Sequence, residues 1–232
     1  MGEYAIAVFD VGKTNKKLLI YNDRLELLDS VYKVFPVQDH DGIEIEPIDE
    51  VEEWLVENVR RFAETYPIRV ISVTTHGASL VCVGENGKPS VPMLSYTHDP
   101  GEDFQREFYE AVGDPRELQR RTATLVLGAL INPSKQLFFA QRQWPEEFAK
   151  TKHILFFPQY WGYLMTGEVA SDYTYAGCHT YLWDFEKWDW SSVADDLRIR
   201  ELLPQRIGRS WDILGGITDE FREKTGLSRD NI

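Results

Sequence analysis

Cysteine is scarce in this chain. Cys82 and Cys178 are the two among 232 residues, far apart and without metal-ligand spacing. That argues against a disulfide framework and a cysteine-held zinc, and it suits a reducing compartment. Positive charge is short as well: Lys and Arg number 25 against 38 Asp and Glu, for a net charge of −13. An acidic chain disfavours non-specific binding to nucleic acid or an anionic membrane, though a local donor cluster can still hold a phosphorylated ligand. No apolar run is long enough to span a bilayer, and the opening "MGEYAIAVFD" has no basic leader region. It also fits a myristoylation signal poorly, because Ile6 stands where Ser or Thr is required. The expectation is a cytoplasmic protein with no nucleic-acid and no membrane partner. Repeats, low-complexity tracts and obvious linkers are missing too. What remains is a globular chain, 43% hydrophobic, with enough residues for a full core.

A phosphate loop of the Walker type is also lacking, despite a stretch that ends like one. In "FDVGKTNKKLLIYN" (Phe9–Asn22) the trio Gly12-Lys13-Thr14 closes the G-x-x-x-x-G-K-[ST] pattern. Ala7 occupies the position of the first glycine, and the short apolar run Leu18–Tyr21 reads as a strand where a helix should start. The local reading is strand (Tyr4–Phe9), tight turn (Asp10–Asn15), strand (Lys17–Tyr21), then a third strand at Leu27–Val34.

Further along, "PIDEVEEWLVENVRRFAETYP" spaces Val51, Trp54, Leu55, Val59 and Phe62 as a helix face, stopped by Pro67. "IRVISVTT" (Ile68–Thr75) reads as a buried strand. "ASLVCVGENGKPSVPMLSY" reads as strand, Glu-Asn-Gly turn, strand. Helices are expected at Glu102–Ala111, near Pro115–Arg121, and over Asn132–Pro145, the last with an Asn cap and proline first. An aromatic helix, Phe157–Glu168, should end at Gly167. "LRIRELLP" reads as one more, and the tail "ITDEFREKTGLSRDNI" as a helix capped by Thr218. This order lacks regular βαβ alternation, so an α/β layer on an antiparallel meander is the better reading.

Two places carry candidate chemistry. In the turn after the first strand, successive N–H groups form an anion-binding concavity. Gly12 lets backbone approach a phosphate, while Thr14 and Asn15 add donors. Asp10 repels phosphate and makes sense as a partner of Mg²⁺ through water. An Asp-x-Gly turn in a hairpin is also ordinary turn chemistry, so the motif alone does not decide. The second place is the polar loop holding His76, where a satisfied buried histidine and a ligand contact are both open. The acids of "EVEE" and "GEDFQREFYE" read as solvated helix faces.

Asp10-Val11-Gly12-Lys13-Thr14-Asn15-Lys16-Lys17 resembles the first phosphate motif, D-x-G-T-T-S-x-K, of the FGGY carbohydrate kinases in the actin/hexokinase superfamily. Asp10, Gly12, Thr14 and Lys17 match, while Lys13 and Asn15 replace small hydroxyl residues. "ISVTTHGASLVCVGENGKPSVPMLSYTHDPGED" (Ile71–Asp103) is similar to the rhamnulokinase form of that family. Thr75-His76-Gly77-Ala78-Ser79 stands where that form has Thr-Trp-Gly-Val-Asp, and Tyr96–Pro100 covers its Tyr-Arg-Asp-Pro element. In a third stretch Pro158, Thr166-Gly167-Glu168, Asp172-Tyr173, Leu182-Trp183-Asp184 and Asp189-Trp190-Ser191 follow the family's order.

The resemblance implies an α/β, ribonuclease-H-like actin-type ATPase domain, with a mixed sheet begun by three antiparallel strands and flanked by helices. It implies that residues 1–232 form the N-terminal domain, followed by a C-terminal nucleotide-binding domain. ATP and Mg²⁺ would be the cofactors, and the partner a small-molecule sugar, a ketose such as a 6-deoxyketohexose or pentulose. Asp10, Gly12, Thr14, Asn15 and Lys17 would serve the phosphates, Asp10 the metal, and His76, Gly77 and Asp99 the sugar. The family's general base, an Asp shortly after a "TGL" segment, is expected just beyond Ile232, after Thr225-Gly226-Leu227. The chain is expected to be a monomer or homodimer. A glycerol or aldose kinase and a non-catalytic sugar-binding or regulatory module are the alternatives.

Overall fold

The computed structural model describes residues 3–227. The chain opens with the expected meander: β1 (Ala5–Val11), β2 (Asn15–Asn22) and β3 (Leu27–Val34), each antiparallel to the last. A small hairpin follows, β4 (Gln38–His40) and β5 (Ile43–Ile45), which the sequence reading missed because each strand is so short. Helix α1 (Ile48–Ala63) then leads to β6 (Ile68–Thr75), which lies parallel to β1. The sheet order is β3-β2-β1-β6, a mixed sheet.

The period-two pattern of β1 explains where the core sits. Ala5, Ala7, Phe9 and Val11 are buried, as are Leu18 and Ile20 of β2. They pack in one cluster with Val51, Trp54, Leu55, Val59 and Phe62 of α1 and with a second, aromatic helix described below. Among the described residues β6 is an edge strand, so only Ile68 of its eight residues is buried. The expectation of a buried strand is thus corrected: β-branched composition alone does not distinguish a central strand from an edge.

Strand β7 (Leu80–Gly84) is buried throughout, but its partner is not the segment after the Asn86-Gly87 turn. Pro89 and Pro92 remove ladder donors there, leaving single bridges such as Val83 to Pro89. After α2 (Glu102–Val112), α3 (Pro115–Thr122), α4 (Pro133–Gln143) and α5 (Pro145–Phe148), the chain returns as β8 (Thr151–Phe156), antiparallel to β7. Asn132 precedes α4 but makes no capping bond. Its amide donates to the Leu125 and His179 carbonyls at 3.2 and 2.8 Å, tying two loops together. Burial pushes Lys135, on the same helix, down to about 8, with its ammonium 2.6 Å from the Leu127 carbonyl.

Helix α6 (Phe157–Thr166) is the expected aromatic helix, closed by Gly167 at φ 74°. Beyond it lie β9 (Ala170–Asp172), α7 (Tyr173–Ala176), the hairpin β10 (Trp183–Asp184) and β11 (Asp189–Trp190), α8 (Ser192–Asp196) and β12 (Arg206–Gly208). The helix expected in "LRIRELLP" is only one 3₁₀ turn, Arg200–Leu202. Helix α9 (Asp219–Thr225) has the expected cap, Thr218 accepting from the Phe221 N–H, while positions 228–232 of that reading lie outside the described residues.

Trp161 of α6 joins helix to sheet. It is fully buried, with its ring 5.0 Å edge-on to Phe9 of β1 and 5.8 Å from Phe157. Trp161→Ala should lower unfolding stability by about 3–5 kcal/mol, the usual cost of deleting a large core aromatic. Urea unfolding followed by circular dichroism measures this; a shift below about 1 kcal/mol would show the helix to be only loosely docked.

Candidate active site

The C-terminal ends of the parallel neighbours β1 and β6 point the same way, and both lead into polar loops. The His76 N–H donates to the Val11 carbonyl at 2.9 Å, so the loop after β6 is bonded to the turn after β1. Asp10, Gly12 and His76 are therefore brought together although more than sixty positions separate them in the chain. Open α/β sheets place their ligands at such strand ends.

The turn is tight. A Cβ on Gly12 would stand 2.9 Å from the Asn15 carbonyl oxygen, a backbone atom. Thr14 and Asn15 are exposed at its tip. Asp10 and Lys17 face each other across the β1–β2 ladder, with the ammonium 3.1 Å from the carboxylate. Lys16, next to it, is 1% exposed, and its ammonium donates to the Lys13 carbonyl at 3.0 Å, bracing the turn from below. Burial pushes the Lys16 ammonium below its ordinary value, partly offset by nearby Glu46.

The His76 ring packs 5.0 Å from Phe157 and 5.5 Å from Tyr96. Its Nδ1 lies 2.9 Å from the Gly77 carbonyl, which can only accept, so Nδ1 carries the proton. In the neutral ring Nε2 is then an acceptor; it is buried and has no protein partner. Burial also holds the imidazole below its ordinary value. Helix α4 steadies this loop. The Gln136 amide donates to the Ala78 carbonyl at 2.6 Å and to the Leu130 carbonyl at 2.8 Å, and Ala78 sits at φ 61°. On the other flank the Tyr175 hydroxyl donates to the Ser79 carbonyl at 3.2 Å. Gly77 lines a cavity of about 650 Å³ together with Thr75, Gln159, Asp172 and Tyr175.

Asp99 is exposed, and its carboxylate accepts from the Gly101 N–H at 3.0 Å ahead of α2. No hydrogen bond joins it to the His76 cluster among the described residues. Tyr96, three positions earlier, is what reaches His76. The sequence reading also missed Lys13, Glu46 and Ser95. The Lys13 ammonium is ion-paired with Glu46, lies 2.6 Å from the Ser95 hydroxyl, and sits 4.9 Å above the Tyr96 ring. A lysine where the motif has a small hydroxyl was a visible signal for Lys13. Glu46, one acid among many in an acidic stretch, carried none.

Among the described residues no three acids, histidines or cysteines cluster as a metal cage. A lone carboxylate at the turn still fits Mg²⁺, which keeps several waters and takes one or two carboxylates plus the phosphates it accompanies.

The profile of the N-terminal domain of the FGGY family of carbohydrate kinases matches residues 5–231. The chain belongs to the FGGY family. Relatives include a rhamnulokinase from Halalkalibacterium halodurans, 27% identical over 163 residues, 70% of this chain and 34% of that protein. A gluconokinase from Bacillus subtilis is 21% identical over 214 residues, 90% of this chain and 40% of that protein. Among solved structures, a carbohydrate kinase from Novosphingobium aromaticivorans superposes with a TM-score of 0.88 at 28% identity, over 100% of this chain and 48% of that one. A ligand-bound xylulose kinase from Lactobacillus acidophilus, 20% identical, shares the fold at TM-score 0.82 over 98% of this chain and 46% of that one. The chain thus spans about a third of the first curated relative and about half of these structures. The mixed sheet begun by three antiparallel strands is that of the FGGY actin-like ATPase domains.

Two outcomes follow from this geometry. Gly12→Ala should weaken binding of a phosphate-bearing ligand by about tenfold or more and also lower the melting temperature, since the added methyl meets the Asn15 backbone and forces the turn to shift; unchanged affinity in calorimetry would remove the turn from the site. The second concerns pH. His76 binds its proton less readily folded than unfolded, so its contribution is complete above about pH 6.5 and falls as pH drops through the lowered folded value. The stability difference between the wild type and His76→Gln, from urea midpoints, should therefore shift against the wild type below about pH 6.5. A difference constant with pH would contradict the buried neutral imidazole.

Proposed function

We propose that this chain is the sugar-binding and first-phosphate domain of an ATP-dependent carbohydrate kinase acting on a ketose, such as a pentulose or 6-deoxyketohexose. The observation that carries it is the bond from the His76 N–H to the Val11 carbonyl, which sets the phosphate turn beside an unsatisfied histidine acceptor. The rhamnulokinase likeness supports the ketose reading.

In this reading the Gly12 turn presents N–H groups to the nucleotide phosphates, with Thr14 and Asn15 as further donors and Lys17 as a nearby cation. Asp10 holds Mg²⁺ through water. The metal, when bound, neutralises charge on the phosphates. His76 Nε2 accepts a sugar hydroxyl proton in a hydrogen bond, Gly77 keeps the approach open, and Asp99 helps hold the sugar end of the cleft. The general base that deprotonates the attacking hydroxyl belongs to the part of the family fold that follows these residues, as does the domain that closes over ATP and excludes water.

A coupled ADP-release assay on the full-length protein across a ketose panel tests this, and sugar-dependent turnover is expected. Asp10→Asn should cut kcat far more than it weakens the sugar, because the metal stabilises charge that develops in transfer. His76→Ala should raise the sugar KM about tenfold, the ~1.4 kcal/mol of one lost hydrogen bond, with the ATP KM nearly constant. The 232-residue chain alone should bind sugar weakly without turnover. Binding without turnover in the full-length protein would instead favour a non-catalytic sugar-binding module.

A further inference from the structure

Lys13 stands in the phosphate turn, yet its side chain leaves it. The ammonium is held by the buried Glu46 carboxylate and by the Ser95 hydroxyl, and it covers one face of the Tyr96 ring. The His76 ring packs against that same tyrosine. Glu46 is 6% exposed and Ser95 fully buried, so the ammonium is anchored by buried groups. A lysine ammonium has three N–H donors, and two are committed to Glu46 and Ser95.

We propose that Lys13 is a sugar-specificity residue rather than a phosphate ligand, with Glu46 as its positioning residue. This rests on the kinase reading above. The arrangement sets one donor, the remaining Lys13 N–H, and one acceptor, His76 Nε2, beside the same Tyr96 ring. Hydroxyl groups both donate and accept, so two neighbouring hydroxyls of a polyol satisfy such a pair, and the half-buried Tyr96 ring gives apolar surface for a sugar's C–H face. Charge sets the class of sugar. Glu46 neutralises Lys13, and the second cation nearby, Lys16, is buried with its ammonium bonded to the Lys13 carbonyl, so a carboxylate-bearing sugar would meet the Glu46 charge without an accessible cation to pair with. The site therefore selects neutral sugars over sugar acids, and the selection resides in Glu46.

Calorimetric titration of the full-length protein tests this with three probes: a neutral ketose taken from the panel above, gluconate as sugar acid, and MgATP. Lys13→Met should weaken the ketose about tenfold or more and leave MgATP within about twofold. Glu46→Gln is close in shape and frees the ammonium. It should weaken the ketose and strengthen gluconate, narrowing the preference by about tenfold. Melting temperatures report folding; should Lys13→Met not fold, Lys13→Gln takes its place. Equal losses for ketose and MgATP would make Lys13 a phosphate ligand and overturn the proposal. So would unchanged ketose binding in both variants, with the kinase reading left standing. A wild type that binds no sugar on the panel would overturn both.

Discussion

The parallel pairing of β1 with β6 is the constraint on which the rest depends. Parallel neighbours need a crossover, and α1 supplies it, burying its apolar face on β1 and β2 as it returns the chain. Because the strands run the same way, the turn holding Gly12 and the loop holding His76 emerge at one edge. The hydrogen bond from His76 to Val11 extends the ladder by one rung past the strand and locks the two loops together. Were β6 antiparallel, its loop would lie at the other end of the sheet, and no local sequence would restore the site.

Around that edge the structure spends buried charge to hold backbone. Lys16 lies beneath the turn with a carbonyl as its bond partner, and Lys13 is pinned by Glu46. Ion pairs of this kind are weak sources of stability because desolvation offsets attraction. What they supply is position: the ammonium groups have one low-energy place each, so the turn has one shape. Gln136 does the same from α4 with neutral groups, fixing Ala78 in a left-handed conformation that an alanine would not choose unaided.

Where the chain's own chemistry is local, the sequence was readable. The meander, the α1 face, the Gly167 stop and the Thr218 cap each follow from a few adjacent residues. Where the outcome depends on a distant partner, it was not. The segment after the Asn86-Gly87 turn reads as the return strand of a hairpin, but β8 takes that place beside β7, pairing Thr151 with Gly84 far along the chain. Asn132 has the right residue type and position for a cap, yet its amide nitrogen is turned to two loop carbonyls, and Oδ1, the atom that would cap, meets no helix N–H. Ile68–Thr75 has the composition of a core strand and, among the described residues, lies at an edge.

The sequence by itself determined the family and the presence of a tight turn after β1, because Asp10-x-Gly12-x-Thr14 is a continuous stretch whose sharp bend needs a glycine. It also placed His76 in a polar loop between strands. Only the tertiary structure decided that Nε2 of that histidine is left without a partner, that Tyr96 rather than Asp99 packs against it, and that Lys13 leaves its turn to pair with Glu46. Those three facts are contacts between segments far apart in the chain. A local pattern carries no information about which distant groups burial will force together, and hydrogen-bond satisfaction is settled only after burial has chosen the neighbours.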